Sequence, residues 1–364
     1  MVGRQQPLSR PLGSSQGPTV LTFYLVPGFA MLALSSAIEA LRLANRVLGY
    51  RAYDWRLISE TGMVVRANCG SSLLADSCLE AERKRLFQAD RPSMSIVCAD
   101  DNVEQYFNKS LEAWLRDCRQ RRILVGALGT GAYVLARAGL LGNRRCTIHW
   151  EKEPGFTETF NSLLVNTNIY AIDGDIWTCA GGSAPFDMML QLVEQTFGES
   201  TVASICELGL VNRMRKSQER QRLPFSCRHQ ISNEIVIKVI GEMEKHIEEP
   251  LPTKILASKV GLSSRQVERL FRFHLNHSPV LYYRKLRIER AKFLLIQTAM
   301  PVVEIAIACG FVSASHFSNC FRQIIGMSPN QARNSKCERA IAGTTEPSLY
   351  ANSSFLNRVL DHAA

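Results

Sequence analysis

The sequence predicts a two-domain chain: an N-terminal α/β domain on a doubly wound parallel sheet, then a C-terminal all-α domain with two helix-turn-helix units. Three observations predict it. Up to about residue 200 of 364, short apolar runs alternate with helical periodicity, and beyond that no strand signal recurs. The last third contains an internal repeat. The positive charge is concentrated there as well. The chain carries 43 Lys and Arg against 33 Asp and Glu, and residues 254–336 alone hold thirteen bases against three acids, Glu268, Glu289 and Glu304.

Residues 1–18, rich in Gly, Pro, Ser and Gln, are expected to be disordered. The α/β domain spans 19–212. Residues 20–26 read as a buried strand, 29–48 as a helix and 55–59 as a second strand. Residues 93–98, 122–125 and 176–179 are further strands, and a glycine turn after 125 leads into a helix over 132–138. Strands alternating with helices imply a parallel sheet covered on both faces. Residues 213–231, basic and interrupted by Pro224, read as a helix end and linker. The domain over 232–336 opens with Ser232 as a cap for a helix bearing Ile235, Val239, Met243 and Ile247 on one stripe, stopped by Pro250 and Pro252. The tail, 337–364, reads as disordered, although Phe355, Leu356, Val359 and Leu360 have the spacing of a short docking helix.

Composition excludes several classes. With 46% apolar and 21% charged residues the chain is globular, neither fibrous nor wholly disordered. Eleven scattered cysteines include no C-x-x-C pair, so neither a zinc ribbon nor a thioredoxin-type site is expected, and no metal or cofactor is implied. Residues 19–34 have a signal-peptide flavour, but Pro27-Gly28 breaks the run and it is too short to span a bilayer. A cytoplasmic protein without a membrane partner is the expectation.

The repeat lays Ala257, Gly261, Val267, Phe271 and Arg272 on Ala306, Gly310, Phe317, Phe321 and Arg322, with one residue inserted at the turn. Each unit places a small Ala four residues before a Gly, which lets two helices approach and then turn tightly. Ser263 and Ser313 fall where a second helix needs its N-cap. Val267, Leu270 and Phe271 form the core stripe of the first unit, and Phe317, Cys320, Phe321 and Ile324 that of the second. A helix over about 280–297, bearing Arg284, Lys285, Arg287, Arg290 and Lys292, would hold the units in a fixed relation. Amphipathic helix pairs can merely pack, and a charged face is often only solvated. Two repeats within so unbalanced a charge favour double-stranded DNA as the partner. The solvent-side residues offered to a major groove are Arg265, Gln266 and Arg269, then Ser315, His316, Ser318 and Asn319, with Arg322 placed for phosphate.

Residues 232–336 resemble the AraC-type DNA-binding domain, most specifically through Ile305-Ala-Ile-Ala-Cys-Gly310-Phe311, Ser315-His316-Phe317-Ser318, Phe321-Arg322 and Gly326-Met-Ser328-Pro329. The resemblance implies two units in successive major grooves, about 34 Å apart. Residues 19–212 resemble the class I glutamine-amidotransferase-like (PfpI-type, flavodoxin-like) domain found on some AraC-type regulators. The matching pieces are Leu25-Val-Pro27-Gly28-Phe29, Ser36-Ala-Ile-Glu39, Gly126-Ala-Leu-Gly129-Thr130-Gly131, His149-Trp150-Glu151 and Ala180-Gly181-Gly182-Ser183-Ala184-Pro185. The arrangement is similar to regulators of glycine betaine, carnitine and arginine catabolism. It implies a transcription regulator, an activator, acting as a homodimer with RNA polymerase as a partner.

Enzymes of this fold place a nucleophilic Cys at a sharp strand-to-helix turn. Here Gly129 holds that position, and Phe29-Ala30-Met31-Leu32-Ala33 lacks the acid that PfpI-type enzymes carry after the first strand. Covalent catalysis needs a thiol and an activating group, so the domain is expected to be catalytically dead. A glycine-rich turn at a helix N-terminus suits an anion. Thr130 with the amides of Gly129 and Gly131 is placed to hold a carboxylate, and Trp150 to stack on an amine, with His149 and Glu151 beside it. The effector class would be an amino acid or quaternary amine. Ordinary core packing explains Trp150 equally well, Glu151 suits a solvated loop, and Asp187 suits a helix cap. The rival reading is an amidase or deglycase-like hydrolase carrying a DNA-binding domain, with Cys98 or Cys146 as stand-in nucleophile.

Overall fold

The computed structural model describes residues 17–100, 102–221 and 233–334, which fall into two compact units divided between residues 223 and 224. The first 16 residues and those after 334, with the docking helix expected there, lie outside the described residues, as does Ser232.

The first unit is a seven-stranded sheet in the order β10-β11-β7-β6-β1-β2-β5. Its strands are β1 (Thr19–Leu25), β2 (Tyr53–Ser59), β5 (Ser77–Cys78), β6 (Met94–Ala99), β7 (Leu124–Gly129), β10 (Tyr170–Asp173) and β11 (Ile176–Cys179). All pairs are parallel except β10 with β11. Every residue of β6 is buried, as expected of a strand covered on both faces. Helices α1 (Met31–Leu48), α6 (Ala184–Phe197) and α7 (Glu199–Leu208) pack together and share one core with Phe23, Phe29 and Trp177. Helices α3 (Lys109–Gln120) and α4 (Ala132–Arg137) share a second core, with Trp114, Tyr133 and Phe156. Because β1 pairs with both β2 and β6, the sheet changes its direction of advance there. That is the switch point where open α/β sheets bind ligands, outside the carboxyl ends of the strands.

The glycine turn differs from expectation. Strand β7 starts two residues later than 122 and continues to Gly129, so Gly126 is a strand residue. A Cβ at Gly126 would lie 3.0 Å from the Met94 side chain and 3.1 Å from that of Ile96, so this glycine makes room across the sheet rather than turning the chain. Arg122, with φ 60°, precedes the strand instead of opening it.

Among its described residues the second unit consists of helices joined by short turns, with no strand. Its leading helix, Glu234–Lys245, is capped by Asn233, whose side chain accepts from the amides of Ile235 and Val236. The buried stripe is Val236, Val239, Ile240 and Met243, and the helix ends before Ile247 and the prolines. The sequence reading was therefore one position out for the cap and part of the stripe. Each helix-turn-helix pair then follows: Thr253–Lys259 with Ser264–Leu275, and Val302–Ala308 with Ala314–Ile325. The connecting helix, Pro279–Gln297, gives Tyr282 and Tyr283 to one core and Ile288, Ala291, Leu294 and Leu295 to the other. It serves two cores at its two ends, so no single apolar face marks it out in the sequence.

Candidate nucleic-acid interface and effector site

The two second helices, Ser264–Leu275 and Ala314–Ile325, are built alike. Ser263 and Ser313 accept hydrogen bonds from the amides of Gln266 and His316, the N-cap geometry that starts each helix. One face buries Val267 and Phe271 in the first, and Phe317, Cys320 and Phe321 in the second. The opposite face exposes Arg265, Gln266 and Arg269, and Ser315, His316, Asn319 and Arg322, while Ser318 is half-buried. Arg272 is paired with Glu268 at 2.9 Å, whereas Arg265 and Arg269 have no ion-pair partner among the described residues.

Two side chains have other tasks. The Gln266 carboxamide oxygen accepts from the Ser263 amide at 2.8 Å, closing a capping box that commits it to the helix end rather than to a base edge. The Ser-x-x-Gln spacing carried that signal in the sequence. On the connecting helix, Arg287 is partly buried. Its guanidinium donates to the carbonyls of Cys309 (2.7 Å) and Gly310 (2.5 Å) and sits 4.0 Å from the Phe311 ring centre. It clamps the second turn and is not a free phosphate contact; sequence spacing cannot show which carbonyl an arginine will meet.

In the first unit, the turn after β7 is tightly closed. Gly129 has φ +65°, and a Cβ there would lie 2.5 Å from the Ala99 carbonyl oxygen; one at Gly131 would lie 2.5 Å from that of Val97. Thr130 is fully buried, its hydroxyl donating to the Asp100 carbonyl at 2.6 Å, and the Gly131 amide donates to Leu128 at 3.1 Å. These groups turn inward, so the expected carboxylate clamp from Thr130 and Gly131 is not formed. His149 does reach the turn: its amide donates to the Gly129 carbonyl at 3.4 Å. Trp150, half-buried, has its ring 5.7 Å from the imidazole, and the Glu151 carboxylate lies 3.7 Å from His149 Nδ1.

Comparison with known proteins agrees with both units. Residues 256–335 match the helix-turn-helix domain family and residues 97–195 match the DJ-1/PfpI family. Over 311 residues the chain is 39% identical to the HTH-type transcriptional regulator CdhR of Pseudomonas aeruginosa, covering 85% of this chain and 90% of that protein. It is 36% identical to the HTH-type transcriptional regulator GbdR of the same species, covering 88% and 85%. It is 33% identical to the HTH-type transcriptional regulator GlxA of Rhizobium meliloti, covering 85% and 94%. The chain belongs to the AraC-type transcriptional regulators that carry an N-terminal DJ-1/PfpI domain.

In this AraC-type regulator, the segment expected to be linker begins as a strap on the α/β unit. Gln221 accepts from the Trp150 amide at 2.7 Å and donates to Thr147 Oγ1 and to the carbonyls of Ile148 and Asn168. Glu219 and Arg220 pair with Ile169 and Asn168 through the backbone. Asp187, almost fully buried, accepts from the Arg215 amide (2.7 Å) and from its guanidinium (2.9 and 2.7 Å). Asp187 therefore anchors the strap instead of capping α6. An Asp187→Ala protein should lose about 2 kcal/mol, below the full cost of breaking a buried pair because Arg215 is partly exposed. Urea unfolding measures this, and trypsin should cut faster at Arg213, Arg215, Lys216 and Arg220.

Burial, with Lys152 nearby, lowers the His149 imidazole from 6.5 to about 4, so it is neutral at physiological pH. The unfolded chain takes up this proton near 6.5 and the folded chain only near 4. Stability from this group is thus complete above 6.5 and falls as pH drops through that window. Urea midpoints of the native chain should fall between those pH values more steeply than those of His149→Gln.

The regulator's thiols bear on the hydrolase reading. Cys98 and Cys146 are buried, and burial pushes both up, Cys146 to about 11. Cys69 moves the other way, lowered by hydrogen bonding to Ser71 on an exposed loop.

Proposed function

We propose that the chain is a cytoplasmic, effector-controlled transcription activator that works as a homodimer with RNA polymerase. Its α/β unit would sense a small amino acid or quaternary amine without turning it over. The observation that carries this reading is the closed turn at Gly129, where the nucleophile of related enzymes has no space for even a Cβ. Cys98 and Cys146 supply no substitute, since a buried thiol of raised pKa is a poor nucleophile. His149, Trp150 and Glu151 then form the effector-facing edge beside Gly129. Gln221 holds the amide of that Trp150, so occupancy there acts on the segment that leads towards the DNA-binding unit.

A thermal-shift screen of the full chain against amino acids and quaternary amines, with ammonia release followed in the same wells, tests the reading. Stabilisation without turnover supports it, because a ligand that binds the folded state must stabilise it. Turnover would overturn it and make Cys69→Ser the next protein to assay.

On the DNA side, Arg265 and Arg269 would read bases with Ser315, His316, Ser318 and Asn319, while Arg322 holds phosphate and Gln266 serves its helix cap. Arg265→Ala and Arg269→Ala should each weaken operator binding by about 1–3 kcal/mol and relax preference at particular base pairs. Affinities across a panel of single-base operator variants would show it. A loss equal across the panel would make both residues phosphate contacts.

A further inference from the structure

The two helices that face DNA begin alike but use their third residue differently. Gln266 and His316 hold equivalent places, each three residues after its capping serine and one before the aligned pair Val267 and Phe317. Gln266 returns to the Ser263 amide and closes a capping box. Gln331, three residues after Ser328, does the same to the Ser328 amide at 2.8 Å. His316 makes only half of that exchange. Its amide donates to Ser313 Oγ at 3.4 Å, and its ring meets the next turn of the helix instead.

There His316 Nε2 lies 3.4 Å from Cys320 Sγ, at the i, i+4 spacing that brings side chains together on a helix. Cys320 is buried and His316 is exposed. The equivalent of Cys320 in the first unit is Leu270, which has no polar side-chain atom to offer. Phe311 flanks the imidazole, with the ring centres 5.8 Å apart. Phe311 is itself held by the Arg287 guanidinium, 4.0 Å from its ring centre, and by the Phe317 ring at 5.2 Å. An exposed imidazole on the groove-facing side is therefore gripped at one nitrogen by a thiol rooted in the core. Nδ1 is the nitrogen left to meet DNA, since it has no partner among the described residues.

Hydrogen bonding decides how that nitrogen acts. An imidazole nitrogen accepts well and a sulfur accepts weakly, so the favoured pairing has Sγ–H donating to Nε2. In the neutral ring the single proton then sits on Nδ1, which becomes a donor. A donor in the major groove suits guanine, whose N7 and O6 both accept, and is refused by cytosine, whose amino group only donates.

We propose that Cys320 is a positioning residue for DNA recognition: its thiol sets the tautomer and direction of His316, so that the second unit presents a donor that favours guanine over cytosine. The inference rests on the reading of His316 as a base contact, and adds what that contact prefers and what sets the preference.

Selection of bound duplexes from a randomised DNA pool by the full chain, then affinities for single-base variants of the selected duplex, test it. His316→Ala should lower the preference for guanine over cytosine at one position by about fivefold, the strength of one hydrogen bond. Cys320→Ala should lower the same preference by a similar factor. Cys320→Ser, whose hydroxyl donates in place of the thiol, should restore most of it. Adding Cys320→Ala to His316→Ala should change the preference no further, the sign of two residues acting as one. A purely structural role for Cys320 would instead weaken binding to selected and random duplexes alike, with the preference unchanged. That result overturns the proposal, and His316 stands as a base contact if His316→Ala still loses the preference. A His316-dependent choice of cytosine over guanine would also overturn it, because Nδ1 would then be accepting. Should His316→Ala alter no base preference, this inference and base reading by His316 fall together, while Arg265 and Arg269 are judged by their own variants.

Discussion

Replacing Gly310 by alanine should abolish DNA binding, and the equivalent Gly261→Ala should not. Both glycines have left-handed backbones, φ +71° and +70°, so either substitution costs about 1–2 kcal/mol in backbone strain. Space separates them. Around Gly261 nothing lies within 4 Å of a built Cβ, whereas at Gly310 it would lie 2.7 Å from the carbonyl oxygens of Ile247 and Glu248 and from Pro250. Those atoms belong to the segment after the leading helix, and Arg287 grips the Gly310 carbonyl from the connecting helix. None can retreat alone, so overpacking adds about 1–3 kcal/mol. The total, about 2–5 kcal/mol, is a large part of a small helical unit's stability. Hydrogen exchange should show lost protection in the helices around residue 310, with gel-shift affinity falling in parallel. Equal behaviour of the two variants would mean that the 247–250 segment is not held against the turn.

Gly310 also marks the boundary between what sequence reveals and what it does not. Its repeat partner, the Ala four residues earlier and the capping serines were all legible, because local geometry demands those residue types at those offsets. So were β1, β6 and β11, whose apolar runs suit a covered sheet. The contact that makes Gly310 indispensable was not legible, since the 247–250 segment is brought to it by tertiary packing. Gly126 misled for a related reason: a glycine that clears space for Met94 and Ile96 looks, in sequence, like one that turns the chain. Asp187 had the position of a helix cap, and only the return of Arg215 across 28 residues gives its carboxylate another partner. At the turn after β7, the missing thiol was legible and the inward commitment of Thr130 was not.

Placing a thiol at the turn after β7 should fail on steric grounds. In Gly129→Cys, the new Cβ meets the Ala99 carbonyl oxygen at 2.5 Å, and that oxygen already accepts the Thr130 amide at 3.1 Å. Gly181 closes the other side, since its own Cβ would lie 3.0 Å from Gly129 Cα. Relief requires β6, β7 and the 180–182 turn to separate, against the fully buried packing of β6. With the left-handed backbone at +65°, the expected loss is about 2–5 kcal/mol in urea unfolding, and Gly129→Ala should lose nearly as much because the clash is at Cβ, not sulfur. Ammonia release from glutamine should stay at background, since a thiol here would find a neutral His149 but no acid after β1 to orient it. The Cys and Ala pair separates geometry from chemistry. Should Gly129→Cys keep the parent's stability and its thiol react rapidly with iodoacetamide near neutral pH, the turn would be open enough for a nucleophile. The case for a sensor in place of an enzyme would then rest on the absent acid alone. Equal destabilisation by Ala and Cys would instead mean that the turn itself, and not merely the loss of one sulfur atom, has moved away from catalysis.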